Sequence, residues 1–154
     1  LAVMRGGQID QVGPPENVYY RPRTLFVAQF LGRTNLLLSQ AAGRKADTPL
    51  GRVRLDRDAD GTVLVSLRPE HLTLSAPETA DGPTGTIVGR AFKGHDITYR
   101  VSCEGSEYLV HTDNRVLYEA GDTVALRPLE PAVVLESQST PAEMPSGATP
   151  EPSA

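Results

Sequence analysis

Residues 97–103 read Ile-Thr-Tyr-Arg-Val-Ser-Cys. Ile97, Tyr99, Val101 and Cys103 alternate with Thr98, Arg100 and Ser102, the period of a strand with one face buried. The same period recurs on both sides. Val63, Val65 and Leu67 alternate with Leu64 and Ser66; Tyr108 and Val110 with Leu109 and His111; Val124 and Leu126 with Ala125 and Arg127; Val133 and Leu135 close the series. Turn signals separate the runs: Asp60-Gly61, Asp81-Gly82-Pro83, Lys93-Gly94, Glu104-Gly105 and Ala120-Gly121-Asp122. Short strands at this spacing, without helices between them, predict a small barrel or sandwich from about Asn35 to Glu136. Closing the barrel hides sheet edges and lets a chain poor in aromatics bury a continuous core.

The segment before the barrel reads differently. Leu1 to Met4 and Gln8 to Val12 are apolar runs flanking Gly6-Gly7, a β-hairpin signal. A lone hairpin is marginal in water, so the chain is expected to begin partway through a larger domain. Pro15 suits the first turn of a short helix and Glu16 complements its dipole. Arg21-Pro22 ends that helix. A second helix is predicted from Thr24 to Leu31, with Phe26, Val27, Phe30 and Leu31 on one side and Gly32 as its stop. After Glu136 the sequence holds four prolines with Ser, Thr and Ala and no aromatic or basic residue. Residues 137–154 are therefore predicted to be a disordered tail.

Composition narrows the function classes. The 154 residues carry 15 Lys and Arg against 19 Asp and Glu, net −4, without the basic excess of a dedicated nucleic-acid binder. No apolar run approaches the roughly 18 residues of a membrane-spanning helix. Cys103 is the one cysteine, which excludes an intrachain disulfide framework. A phosphate loop of the GxxxxGK[ST] kind is absent, and so are GxSxG and HExxH motifs. His71, His95 and His111 lie far apart and read as surface or partly buried polar residues. His95-Asp96 reads as part of a loop between two strands, and Cys103 as a buried inert thiol. Arg5-Gly6-Gly7-Gln8 imitates the end of the LSGGQ signature of ABC ATPases. That signature caps a helix, whereas strand alternation follows here, so Gly6-Gly7 reads as a hairpin turn.

Residues 1–37, LAVMRGGQIDQVGPPENVYYRPRTLFVAQFLGRTNLL, resemble another part of an ABC importer ATPase. There a hairpin of the form AVMxxGxIxQxGxPxxVYxxP closes the nucleotide-binding domain. A helix of the form FVAxFxGxxNxL leads into a regulatory domain. Pro14 departs from the pattern, which often has Thr as the helix cap. The remainder is similar to the transport-associated OB domain of the same proteins. Leu67 to Leu74, LRPEHLTL, matches RPExLxL; Gly89 to Val101 matches FxGxxxxYxV; Gly121 to Leu135 matches the closing strands.

The resemblance implies three parts: residues 1–33 as the end of a nucleotide-binding domain, 34–136 as the OB-like regulatory domain, and 137–154 as a tail. It implies the regulatory and dimerisation portion of an ATP-binding subunit that powers solute import, with ferric iron or a polyamine favoured as cargo. The ATP-hydrolysing motifs of the family lie upstream of the matched region, so no catalytic, cofactor or metal residue transfers to this chain. ATP and Mg belong to the full-length parent. Its expected partners are a second copy of the ATP-binding subunit and membrane permease subunits, at the cytoplasmic face of the cell membrane. The implied hinge is Gly32, Arg33, Thr34 and Asn35. Candidate contact residues, taken as exposed, are Arg68, Glu70 and His71 with the loop Lys93, Gly94, His95 and Asp96. The alternative is an oxyanion-binding OB module of the molybdate type, although its Ser-Ala-Arg-Asn order is absent. Single-strand nucleic-acid binding ranks last, since Tyr99 and Tyr108 fall on apolar faces and the net charge is negative.

Overall fold

A computed structural model of the chain describes residues 1–79, 82–113 and 115–136. The predicted tail, 137–154, lies outside the described residues. The chain forms two compact units, which part between Gly32 and Arg33; Leu135 and Glu136 group with the first unit. The sequence reading assigned those last two residues to the second.

The first unit opens with β1 (Ala2–Arg5) and β2 (Gln8–Val12), an antiparallel hairpin. Gly6 and Gly7 make its turn with φ of +60° and +82°. Both central residues of such a turn need positive φ, which glycine adopts without a Cβ penalty. α1 (Pro15–Tyr20) and α2 (Leu25–Phe30) follow. Pro14, at the cap position of α1, supplies no side-chain bond. Thr24 caps α2 by accepting the Val27 N–H at 3.2 Å. Val3, Val18 and Val27 are buried together, with Phe26 and Leu31 packed against them. The buried Gln11 amide donates to the Arg21 carbonyl at 3.1 Å and accepts from the Arg23 N–H at 2.9 Å. The Arg23 carbonyl accepts the Glu136 N–H at 2.6 Å. Met4 and Ile9 oppose each other across the ladder and both stay exposed.

The second unit is mainly β, in an OB-like arrangement of two sheets on one core. β3 (Asn35–Thr48) and β4 (Gly51–Leu67) form a long antiparallel hairpin, with β10 (Val133–Val134) on the far side of β4. A 3-10 turn, Pro69–His71, leads into β5 (Leu72–Ser75). β6 (Thr84–Lys93), β7 (Asp96–Cys103), β8 (Ser106–Asp113) and β9 (Thr123–Pro128) complete a sheet ordered β5-β9-β6-β7-β8. Among the described residues no ladder joins β5 to β8, so the predicted closure is not completed by strand pairing.

The alternating positions of β7 behave as their period requires. Ile97, Tyr99 and Val101 are fully buried and Cys103 nearly so. They pack with Leu37, Val65, Leu67, Leu72, Ile87, Val110 and Leu126. Each large apolar side chain buried this way contributes about 1.5–3 kcal/mol. Tyr99 buries its hydroxyl by accepting the Tyr118 N–H at 3.0 Å, and the two rings meet edge to face at 5.7 Å.

One turn signal misleads. Asp60 and Gly61 sit inside β4, opposite Ala42 and Ala41, and the chain reverses at Pro49-Leu50 instead. Gly61 has φ +84°, and the ladder shifts register between Gly43, with φ +69°, and Lys45. The two glycines bend a continuous hairpin there instead of ending a strand.

Candidate functional site

The residues singled out from sequence fall into two groups in the structure. The first gathers around the start of β3. Gly32 has φ +152°, a glycine conformation, and a Cβ there would lie 3.6 Å from the Tyr19 ring. The next three residues are fastened within the second unit. The Arg33 carbonyl accepts from Arg68 Nη1 at 3.2 Å. Thr34 Oγ1 and Ser66 Oγ are hydrogen-bonded at 2.6 Å. The Asn35 side chain bonds both backbone groups of Leu109, accepting its N–H at 2.7 Å and donating to its carbonyl at 2.8 Å. Leu109 belongs to β8, an outer strand of its sheet, so the Asn35 amide replaces a missing strand neighbour there.

Arg68 corrects an expectation. The sequence predicts an exposed contact residue, and the side chain is only 3% exposed. The 3-10 turn pins Pro69 inward, and the preceding Arg68 side chain is drawn back to the Arg33 carbonyl. Glu70 and His71 are half-buried. The His71 carbonyl accepts the Leu129 N–H at 2.7 Å.

The second group stands apart, at the β6–β7 turn. Lys93 and Asp96 are paired across it, with Gly94 (φ +82°) and His95 as the two turn residues. Lys93, Gly94 and His95 are exposed, and Asp96 is half-buried. His111 places Nδ1 2.9 Å from Thr98 Oγ1 and Nε2 3.6 Å from Asp96 Oδ2. His95 Nε2 lies 3.9 Å from the same oxygen. Two of the three histidines thus approach one carboxylate, a meeting that cross-strand register creates and sequence separation conceals. Opposite Asp96 stands Asp113. The Arg115 backbone N–H, and then its side chain, hold the Asp113 carboxyl below the usual range. Among the described residues no group of three or more His, Cys, Asp or Glu side chains could hold a metal ion.

Burial, and the nearby Glu104 charge after it, push the Cys103 thiol up. Burial likewise raises Tyr108 and Tyr118. A raised thiol is a poor nucleophile, in keeping with Cys103 as a core residue. An open cavity of about 660 Å³ lies beside the β3–β4 turn, where Arg52, Arg127 and Glu104 are among its lining residues. Arg52 is already paired with Asp47 at 3.0 Å, so the lining does not concentrate positive charge. Gly6 and Gly7, the residues that imitate a nucleotide signature, form a strand-to-strand turn and cap no helix.

Sequence reasoning missed the grip of Asn35 on Leu109, 74 residues away, because a lone Asn before an apolar run also reads as loop or cap. It also missed β10's attachment: Val134 donates its N–H to Asp56 Oδ1 at 3.0 Å and accepts from Arg57 Nη2 at 2.5 Å.

Comparisons with known proteins agree with this architecture. Residues 65–135 match the TOBE domain. The chain is 39% identical, over 127 residues, to a spermidine/putrescine import ATP-binding protein of Pseudomonas aeruginosa, covering 74% of this chain and 34% of that protein. It is 37% identical over 110 residues to a Fe(3+) ions import ATP-binding protein of Streptomyces coelicolor, covering 71% of this chain and 31% of the relative. A spermidine/putrescine import ATP-binding protein of Marinobacter nauticus aligns with 92% of this chain at 31% identity, across 45% of its own length. The chain thus spans about a third to a half of the length of these relatives. Residues 65–135 are thus similar to the TOBE domain, and the chain's likeness is to the C-terminal part of ATP-binding import proteins named for iron and polyamines.

Proposed function

We propose that this chain is the regulatory and dimerisation portion of an ATP-binding subunit of an ABC importer, with ferric iron or a polyamine as the cargo of the whole transporter. Residues 1–33 would then close a nucleotide-binding domain and 34–136 form the regulatory domain. A second copy of the ATP-binding subunit and membrane permease subunits are its partners, at the cytoplasmic face of the membrane. ATP and magnesium act in the parent, outside these residues.

One observation carries the reading: likeness to an import ATP-binding protein extends over 92% of the chain, more than the TOBE match alone supplies. A likeness that runs on both sides of Gly32 supports assigning both quoted segments to one kind of protein. The physical design is compatible. A body with one buried core and side-chain fastenings at Arg33, Thr34 and Asn35 moves as a unit, because packed interiors do not deform continuously. The candidate contacts in this reading are Glu70, His71 and the turn Lys93 to Asp96, while Arg68 acts from inside by holding the Arg33 carbonyl.

The test is phosphate release from Mg-ATP by the purified chain. The reading predicts no release above the protein-free blank. Sustained hydrolysis that copurifies with the chain would overturn it.

A further inference from the structure

The cavity of about 660 Å³ lies where the β3–β4 turn, the residues leading into β6, the β7–β8 turn and the end of β9 meet. That volume is in the range of pockets that hold small organic ligands. Its walls are fastened. Thr48 Oγ1 donates to the Gly51 carbonyl at 2.7 Å and accepts the Leu50 N–H at 2.9 Å, which fixes the β3–β4 turn. The Leu126 N–H donates to the Pro83 carbonyl at 3.0 Å, and a Cβ on Gly82 would lie 3.0 Å from the Leu126 carbonyl oxygen, so the opposite wall is close-packed. Leu50 and Leu126 belong to the buried core, and with Pro83 they make part of the lining apolar.

Two charges in the lining are left open. Arg127 and Glu104 border the same cavity, and among the described residues neither forms an ion pair with the other or with a third group. Arg52, the third charge, is held by Asp47 at 3.0 Å. Among the described residues Glu104 is also the one non-glycine with positive φ, +54°. It begins a two-residue turn with Gly105, a place that Asn or Gly fills at lower cost. Backbone strain of this kind collects at ligand-binding positions. An inorganic oxyanion would be attracted by Arg127 and repelled by Glu104, whereas a ligand charged at both ends complements both.

We propose that this cavity binds a short apolar peptide as a zwitterion, its carboxylate on Arg127, its ammonium on Glu104 and its side chains against Leu50, Leu126 and Pro83. The site lies wholly within the second unit, and its occupancy does not depend on what the parent protein transports. Both charged residues are exposed, so each ion pair contributes little and binding is weak.

The probe is L-leucyl-L-leucine, titrated into the isotope-labelled full chain and followed by NMR. It should shift the amides of Leu50, Glu104, Leu126 and Arg127 in a saturable way. Its C-terminal amide, which keeps only the ammonium, and its N-acetyl form, which keeps only the carboxylate, should each bind about fivefold more weakly. Arg127→Gln should bind the dipeptide and its amide alike, and Glu104→Gln should bind the dipeptide and its N-acetyl form alike, results that a purely structural role would not give. Glu104→Asn eases the turn backbone, so it should melt no lower than the unsubstituted chain and still lose the preference for the ammonium end. No saturable shift at these four amides up to the solubility limit of the peptide, or equal affinity of the unsubstituted chain for all three probes, would overturn the proposal.

Discussion

Asn35 and Leu109, 74 residues apart, share two hydrogen bonds of 2.7 and 2.8 Å that satisfy the backbone N–H and the carbonyl of one residue on the edge of β8. A side-chain amide carries an acceptor oxygen and a donor nitrogen on one planar group and so can complete both at once. Asn35→Ala leaves that N–H and carbonyl without their partners and should lower stability by about 1–3 kcal/mol in urea unfolding. Asn35→Asp should not rescue it, because a carboxylate cannot donate to the Leu109 carbonyl.

Gly85 meets the sheet at close range. A Cβ there would lie 2.6 Å from the Ser102 carbonyl oxygen and 2.8 Å from Val101 Cγ1. Backbone cannot yield as a flexible side chain can, so Gly85→Ala should cost about 1–3 kcal/mol or more through overpacking of β6 against β7. Gly94→Ala is the contrast: nothing lies within 4 Å, and only its φ of +82° opposes the change. That strain is worth roughly 1–2 kcal/mol. Crystal structures of the variants would separate the two causes, with β6 displaced in the first and the turn alone altered in the second.

Asp113 links stability to pH. Hydrogen bonds from the Arg115 backbone N–H at 3.1 Å and from its guanidinium at 2.9 Å lower its pKa on folding. Its stabilisation is therefore complete above the unfolded carboxyl pKa and is lost as pH falls through the lower folded value. Unfolding curves across the acid range should show that loss, and Asp113→Asn should flatten it. An equal acid slope in both proteins would reject the assignment. Full exposure keeps the effect small.

Cys103 is 2% exposed, and burial raises its pKa. Its reaction with a thiol reagent at neutral pH should proceed at the rate of local or global opening, and reach the free-thiol rate only in denaturant. Immediate labelling of the native chain would contradict its place in the core.

Much of this was legible in the residues. The strict alternation of Ile97 to Cys103 gave the buried face of β7, and Gly6-Gly7 and Thr24 marked a hairpin and a helix cap, because short-range chemistry dictates each. Asp60-Gly61 misled since the same dipeptide that turns a chain can also bend a long strand when its partner, here Ala41 and Ala42, continues past it. Arg68 misled in the other direction. Charge suggests exposure, and only the fold brings an Arg33 carbonyl 35 residues away to receive it. The approach of His95 and His111 to Asp96 depends on the β6–β7 turn and the β7–β8 register, neither of which a single segment specifies.

The central proposal is that this chain helps to join two copies of an importer's ATP-binding subunit without itself turning over nucleotide. Sedimentation equilibrium of the purified chain over a wide concentration range tests it most directly. The account predicts reversible monomer–dimer behaviour that Mg-ATP leaves unchanged. A single monomer mass at the highest concentration, or a dimer that forms only when ATP is added, would contradict it.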